Sequence, residues 1–457
     1  MLTQQLVSNT LGLFRRGVND ARSTLSVEGV RSLYRVSLYR NTFYLLLHLG
    51  SSALLGFVFW IVVARLYSSE NVGLNSAVIS AASLIAMLSN LGLGYGLIRF
   101  LPNAGPQENS LVNSCFSLGA LASVVAALVF LGGLSLWSPS LLFLRQSPLF
   151  VGAFTASAVA FNLMMMVGDT LVAHRRANLT LANSLIHGVL RFSLVVFLGI
   201  AFEAYVIFAS WAAAVVCTLL AGVLLLLPRV QPNYRLWFTI DWRLTRNLLS
   251  FSAANYVGNM LLLAPGYVFP LIIINLIDRD ANAYFYSAWL IGSLLFSVAG
   301  ATSLSLFAEG SYQETQLAVH LRRSLKMAFV MLVPSVLVVL ALADKLLLIF
   351  GPAYSENGTT LLRLLAVSAL PQAVTHIFLS TKRVEKKLGT ILGVSCFMAV
   401  SMLGVSVSLV PHLGINAVGV GALSTYGAVA LVVIGLWPRT RLFRAQLVAT
   451  PSTRNDA

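Results

Sequence analysis

Charged side chains are scarce in this 457-residue sequence: Asp, Glu, Lys and Arg together make up 10% of it, with only 15 acidic residues among them. A soluble domain carries about 25% charged residues, so most of this chain is unsuited to facing water. Cysteine is rarer still. Cys115, Cys217 and Cys396 fall on separate apolar runs, without metal-ligand spacing or aqueous surroundings, which speaks against a disulfide framework or a metal site and leaves them as small packing residues. The sequence also lacks an H-E-x-x-H pair, a Gly-rich phosphate loop and a nucleophile elbow. A zinc hydrolase, a nucleotide-driven pump and a serine hydrolase each need one of these. No catalytic residue, metal ligand or cofactor is expected.

Apolar residues, by contrast, make up 58% of the chain. A helix crosses the hydrocarbon layer with roughly 20 of them, and only helices or closed barrels satisfy their backbone there. Uninterrupted runs such as 205–227 fit helices, and the alternation of a barrel strand is missing. The fold class read from the sequence is all-α and polytopic, with twelve spans near 42–64, 73–98, 111–136, 149–171, 180–201, 205–227, 247–275, 283–307, 324–343, 359–380, 388–410 and 415–436. The first run is long enough to span and has no small-residue cleavage site, so it reads as a span, not as a cleaved signal.

The net charge is +15. In a soluble protein that would suggest nucleic acid, but here the cations occupy loops between spans, where they set topology and touch anionic lipid. Of the 30 Lys and Arg, 24 lie in the termini and every second loop, while the opposite loops hold only Arg65, Arg145, Arg279 and Lys345. That bias places both termini in the cytoplasm. Arg191 and Arg363 remain, inside spans. Residues 1–41 read as a basic amphipathic surface segment and 437–457 as a basic tail. Segment 228–246, with Trp237 and Trp242, reads as an interfacial linker between six-span lobes 42–227 and 247–436. Two correspondences support a repeat: ARLYSSENVG (64–73) with INLIDRDANA (274–283), and HRRANL (174–179) with TKRVEKKL (381–388). Six is even, so the halves are parallel repeats.

The stretch VARLYSSENVGLNSAVISAASLIAMLSNLGLGYGLIRFLP (63–102), the basic turn and helix LVAHRRANLTLANSLIHGVLRFSL (171–194), and GINAVGVGALSTYGAVAL (414–431) resemble the polysaccharide-export, Wzx-like oligosaccharide flippase branch of the MOP transporter superfamily. The resemblance covers nearly the whole chain in span number and order. It implies two lobes around a central cavity, alternating access, and a polyprenyl-pyrophosphate-linked glycan as cargo, in a monomer of the cytoplasmic membrane. A glycan polymerase or glycosyltransferases are the implied working partners, and nucleic acid is not one.

Several residues are candidates for holding that cargo. Arg191 lies mid-span, where a charge costs roughly 2.5–3.5 kcal/mol on insertion scales, and His187 precedes it by one turn on the same face. Such a guanidinium either meets phosphate oxygens in a wet cavity or pairs with carbonyls. Arg99 and Arg363, nearer span ends, read either as cavity residues or as topology and snorkelling charges. Ser252, Asn255 and Asn259 form a polar stripe on span 7, ahead of Pro265 and Pro270, which are expected to kink or break that helix. Ser368, Gln372, His376 and Ser380 form another on span 10. Substrate binding and interhelical hydrogen bonding explain such stripes equally well. Asp169 is the candidate for a coupling ion, or else a partner for Arg175 or Arg176.

Two alternatives stand beside the flippase. A MATE-like drug/cation antiporter needs a mid-membrane acid, whereas the deep charge here is a cation. A membrane glycosyltransferase or polymerase needs an outer loop large enough to build a site, and the longest here has about fifteen residues.

Overall fold

The computed structural model describes residues 37–198, 204–232, 234–312 and 317–436. Residues 1–36 and the tail 437–457 lie outside it. Among the described residues twelve helices are long and apolar enough to cross a membrane, and no strand occurs. We number these α1 (Ser37–Leu66), α2 (Ser69–Asn90), α3 (Glu108–Gly132), α4 (Pro148–Ala173), α5 (Ala177–Leu198) and α6 (Val206–Ala221) in the first half. The second half holds α7 (Trp242–Leu276), α8 (Arg279–Tyr312), α9 (Leu317–Leu348), α10 (Pro352–Val384), α11 (Leu388–Leu413) and α12 (Asn416–Leu436).

The packing repeats with a shift of six helices. In the first half α1 lies on α5, α2 and α3 on α4, and both α4 and α5 on α6. In the second half α7 lies on α11, α8 and α9 on α10, and both α10 and α11 on α12. Polar side chains fix the crossings. Buried Asn162 of α4 donates to the Gly119 carbonyl (3.2 Å) and to Ser123 Oγ (3.0 Å) of α3, and accepts from Asn90 of α2 at 3.1 Å. Asn75 of α2 accepts from the Phe208 amide at 3.0 Å, one of the amides that the start of α6 leaves without a helical partner. The halves meet mainly where α2 crosses α7 and α8.

Two expected spans differ in detail. The run read as one span over 73–98 is broken at Leu91 and Gly92, whose φ angles are 52° and 80°; a short helix, Leu93–Phe100, follows at a new angle. The glycines at 92, 94 and 96 permit close approach on two sides. A Cβ on Gly92 or Gly96 would collide with Ser252 or Leu248 of α7, and one on Gly94 with the Asp169 carboxylate of α4. Conversely, α7 is not broken by its prolines. It continues through both Pro265 and Pro270 to Leu276.

The linker, after π and 3-10 turns over Gly222–Arg229, carries no helix among the described residues of 230–241 and is tied to α3. Asn113 donates to the Arg235 carbonyl at 2.8 Å and accepts from Tyr234 at 3.0 Å, while the Thr239 and Asp241 amides donate to Ser117 and Ser114. Trp237 and Phe238 point outward, 75% and 70% exposed.

Candidate functional site

Several buried polar residues line two cavities. The smaller, about 320 Å³, lies inside the first half between α1, α2, α4, α5 and α6. One face of α5 supplies its polar wall: Asn183, His187 and Arg191, each one turn from the next. Asn183 Oδ1, His187 Nδ1 and Arg191 Nε are all buried without a hydrogen-bond partner among the described residues. Most buried polar atoms in folded proteins are paired (90% or more), so three orphans in a row on one cavity wall mark a place for water or ligand. The Arg191 guanidinium stands 4.3 Å from the Phe59 ring centroid of α1, within cation–π range.

The larger cavity, about 640 Å³, runs between the halves and into the second. Asn259 of α7 and Gln372 and His376 of α10 line it. Arg383, Tyr426 and Trp289 line it too. The α10 stripe divides by function. Ser380 bonds Ser303 of α8 through hydroxyl–hydroxyl contact (2.5 Å) and to its carbonyl (2.7 Å), and Ser368 returns to the Leu365 carbonyl (2.7 Å). Gln372 and His376 are left to the cavity, and Gln372 Oε1 is a buried orphan.

Tyr286 of α8 lines both cavities. Its ring lies 4.5 Å from that of Trp60 on α1, so this pair forms a partition between the two chambers. Among the described residues no acidic side chain lines either cavity. The ion pairs among the described residues are His174–Glu108, Arg279–Glu70, His320–Glu309, Lys382–Glu385 and Lys387–Glu385. Arg191 and Arg383 enter none of them. Arginine keeps its proton in proteins, so each cavity holds a cation with no protein counter-charge.

The remaining candidates lie elsewhere. Arg99 is exposed and faces the Phe251 ring at 5.9 Å. Arg363 is exposed, its Nε donating at 3.3 Å to the Leu340 carbonyl of α9. Neither lines either of these two cavities. Asp169 packs against Gly94 and pairs with neither Arg175 nor Arg176. The Asn255 side chain lies outside the described residues. Arg383 was not among the sequence candidates, because it belongs to a run of loop cations. The signal was available: α10 extends to Val384, and Arg383 follows His376 by two turns on the same face.

Contacts between the halves gather at the cation-poor end of the bundle. Arg279 pairs with Glu70 at 2.7 Å, Ser69 bonds Asp280, and Asn282 donates to the Gly73 carbonyl (2.7 Å) and Ser76 Oγ (3.1 Å). Arg65 donates to the carbonyls of Ile349 and Leu348 at 2.8 and 2.6 Å. The Ser140 amide donates to Asn275 Oδ1 at 2.9 Å. That end is sealed.

Residues 38–290 match the family described as polysaccharide biosynthesis protein. No curated protein matches the sequence. Among solved structures, the lipid II flippase MurJ in an inward closed conformation superposes with a TM-score of 0.70 at 13% identity, over 90% of this chain and 93% of that one. A multidrug resistance MATE family transporter of the MOP superfamily, inward-facing, gives 0.65 at 16% identity, over 87% and 96%. An outward-facing form of such a transporter gives 0.62 at 16% identity, over 90% and 97%. The chain has their fold.

Proposed function

The chain belongs to the polysaccharide biosynthesis protein family, and from that premise we propose that it flips a polyprenyl-pyrophosphate-linked oligosaccharide across the cytoplasmic membrane by alternating access. One observation carries this reading: both cavities present an unneutralised arginine and no acid. Desolvating a lone cation is costly unless an anion joins it, and a pyrophosphate supplies oxygens that a guanidinium binds in pairs. A drug cation would meet repulsion in the same cavities.

The loop cations favour a cytoplasmic basic end, which supports an outward-facing position for the cation-poor end. Arg383 lies at the cytoplasmic end of α10, where it meets the diphosphate first; Gln372, Asn259 and the aromatic side chains deeper in the larger cavity then contact sugar. Arg191, behind the Trp60–Tyr286 partition, holds a second anionic position. Export requires that the Glu70–Arg279 and Gly73–Asn282 contacts part while the basic end closes. Asp169, with no cation beside it, is placed to carry a coupling proton or sodium ion.

A deletion strain tests the reading. It should accumulate the lipid-linked glycan on the inner leaflet, and the wild-type gene should clear it. A strain whose lipid-linked glycan pool and surface polysaccharide are both unchanged would refute it.

A further inference from the structure

A third hollow, of about 390 Å³, opens between α8 and α9 towards the basic end, apart from both cavities. Its lining changes along its length. Nearest the basic end are Glu309 of α8 and His320 and Arg323 of α9; deeper in lie Ser305 of α8 and Met327 and Met331 of α9. His320 is 8% exposed. Its Nδ1 lies 3.0 Å from Glu309 Oε2, yet both ring nitrogens are buried without a hydrogen-bond partner among the described residues. Most buried polar atoms in folded proteins are paired, so these two orphans mark a place for a ligand. Arg323 is exposed beside it and enters no ion pair among the described residues. Met327 and Met331 are 55% and 44% exposed, so the apolar part is open at the surface.

We propose that this hollow binds one anionic phospholipid, its phosphodiester at His320 and Arg323 and an acyl chain along Met327 and Met331. Arg323 supplies a positive charge that no ion pair among the described residues takes up, which suits a single phosphodiester. The grading from charge to thioether extends about 16 Å along α9, at 1.5 Å per residue. A free phosphate would use only the charged end. A lipid uses all of it, and the charged end lies where headgroups lie.

Native mass spectrometry of the full-length protein, titrated with phosphatidylglycerol and in parallel with phosphatidylcholine, tests the site. Phosphatidylglycerol should bind more tightly, and Arg323→Gln should weaken it about fivefold, the share of one interfacial cation. Arg323 is exposed, so this change does not threaten folding; His320→Gln should act in the same direction. Arg322→Gln, next in the chain but not lining the hollow, should have no effect. Ser305→Leu, which fills the apolar part and leaves charge unchanged, should also weaken binding. Equal binding of the two lipids, or an equal loss from Arg322→Gln, would reduce the interaction to general surface attraction and overturn the site. Displacement of the lipid by millimolar inorganic phosphate would overturn the lipid as its occupant.

Discussion

Consider replacing Arg191 by methionine, which keeps much of the side-chain volume and removes the charge. The guanidinium has no acidic partner, its Nε is an orphan, and its one specific contact is the Phe59 ring at 4.3 Å. Losing a cation–π contact costs about 0.5–2 kcal/mol, while replacing buried ionic groups by apolar ones of similar volume is often neutral or stabilising by about 1–4 kcal/mol. The balance lies near zero or in favour of the variant, so its melting temperature should hold or rise. Transport should move the other way. A charge-assisted hydrogen bond contributes about 1.5–3 kcal/mol, so losing a bidentate pair of at least about 3 kcal/mol lowers transport about a hundredfold. Arg191→Lys keeps the charge without the fork and should fall between; His187→Ala should give a milder defect. The assay pairs glycan translocation per molecule in proteoliposomes with thermal melting of the purified protein. A lower melting temperature with unchanged transport per folded molecule would make Arg191 a structural residue and refute the reasoning.

Four other outcomes are expected. Arg383→Gln should lower translocation at least tenfold, the share of about 1.4 kcal/mol, whereas Arg99→Gln and Arg363→Gln, which line neither cavity, should leave it unchanged in the same assay. Gly94→Ala forces a methyl group onto the Asp169 carboxylate and should cost about 1–3 kcal/mol by melting, partly recovered in the double variant with Asp169→Ala. Asp169→Asn alone should fold normally and lose its response to the ion gradient; full gradient-driven transport would remove this carboxylate from the mechanism. Reporter fusions after Val230 and Val448 should both report the cytoplasm, and opposite locations would overturn the topology.

Span number and order were legible because burial in lipid imposes long apolar runs on each helix separately. Arg191 was legible for the same reason: a charge so far from either end of a span needs an explanation. Arg383 was not, since a cation near a helix end looks the same whether it turns to headgroups or into a cavity. The break at Leu91–Gly92 was hidden in an apolar run: Gly92 packs against Ser252 of α7, and hydropathy carries no record of that contact. The Trp60–Tyr286 partition joins residues on α1 and α8, so no local pattern announces it. The polar stripe on α10 was visible as a stripe, but only Ser303 opposite it decides that Ser380 links helices while Gln372 and His376 face the cavity.

The central claim is that the cargo is a lipid-linked anion. Purified protein in proteoliposomes, loaded on one leaflet with a fluorescent polyprenyl-pyrophosphate-linked oligosaccharide, tests it when the label's accessibility to a membrane-impermeant quencher is followed in time. The account predicts that wild-type protein exposes the label on the opposite leaflet and that Arg191→Met and Arg383→Gln do not. Movement of an organic drug cation by the same vesicles, with the glycan lipid left in place, would contradict it.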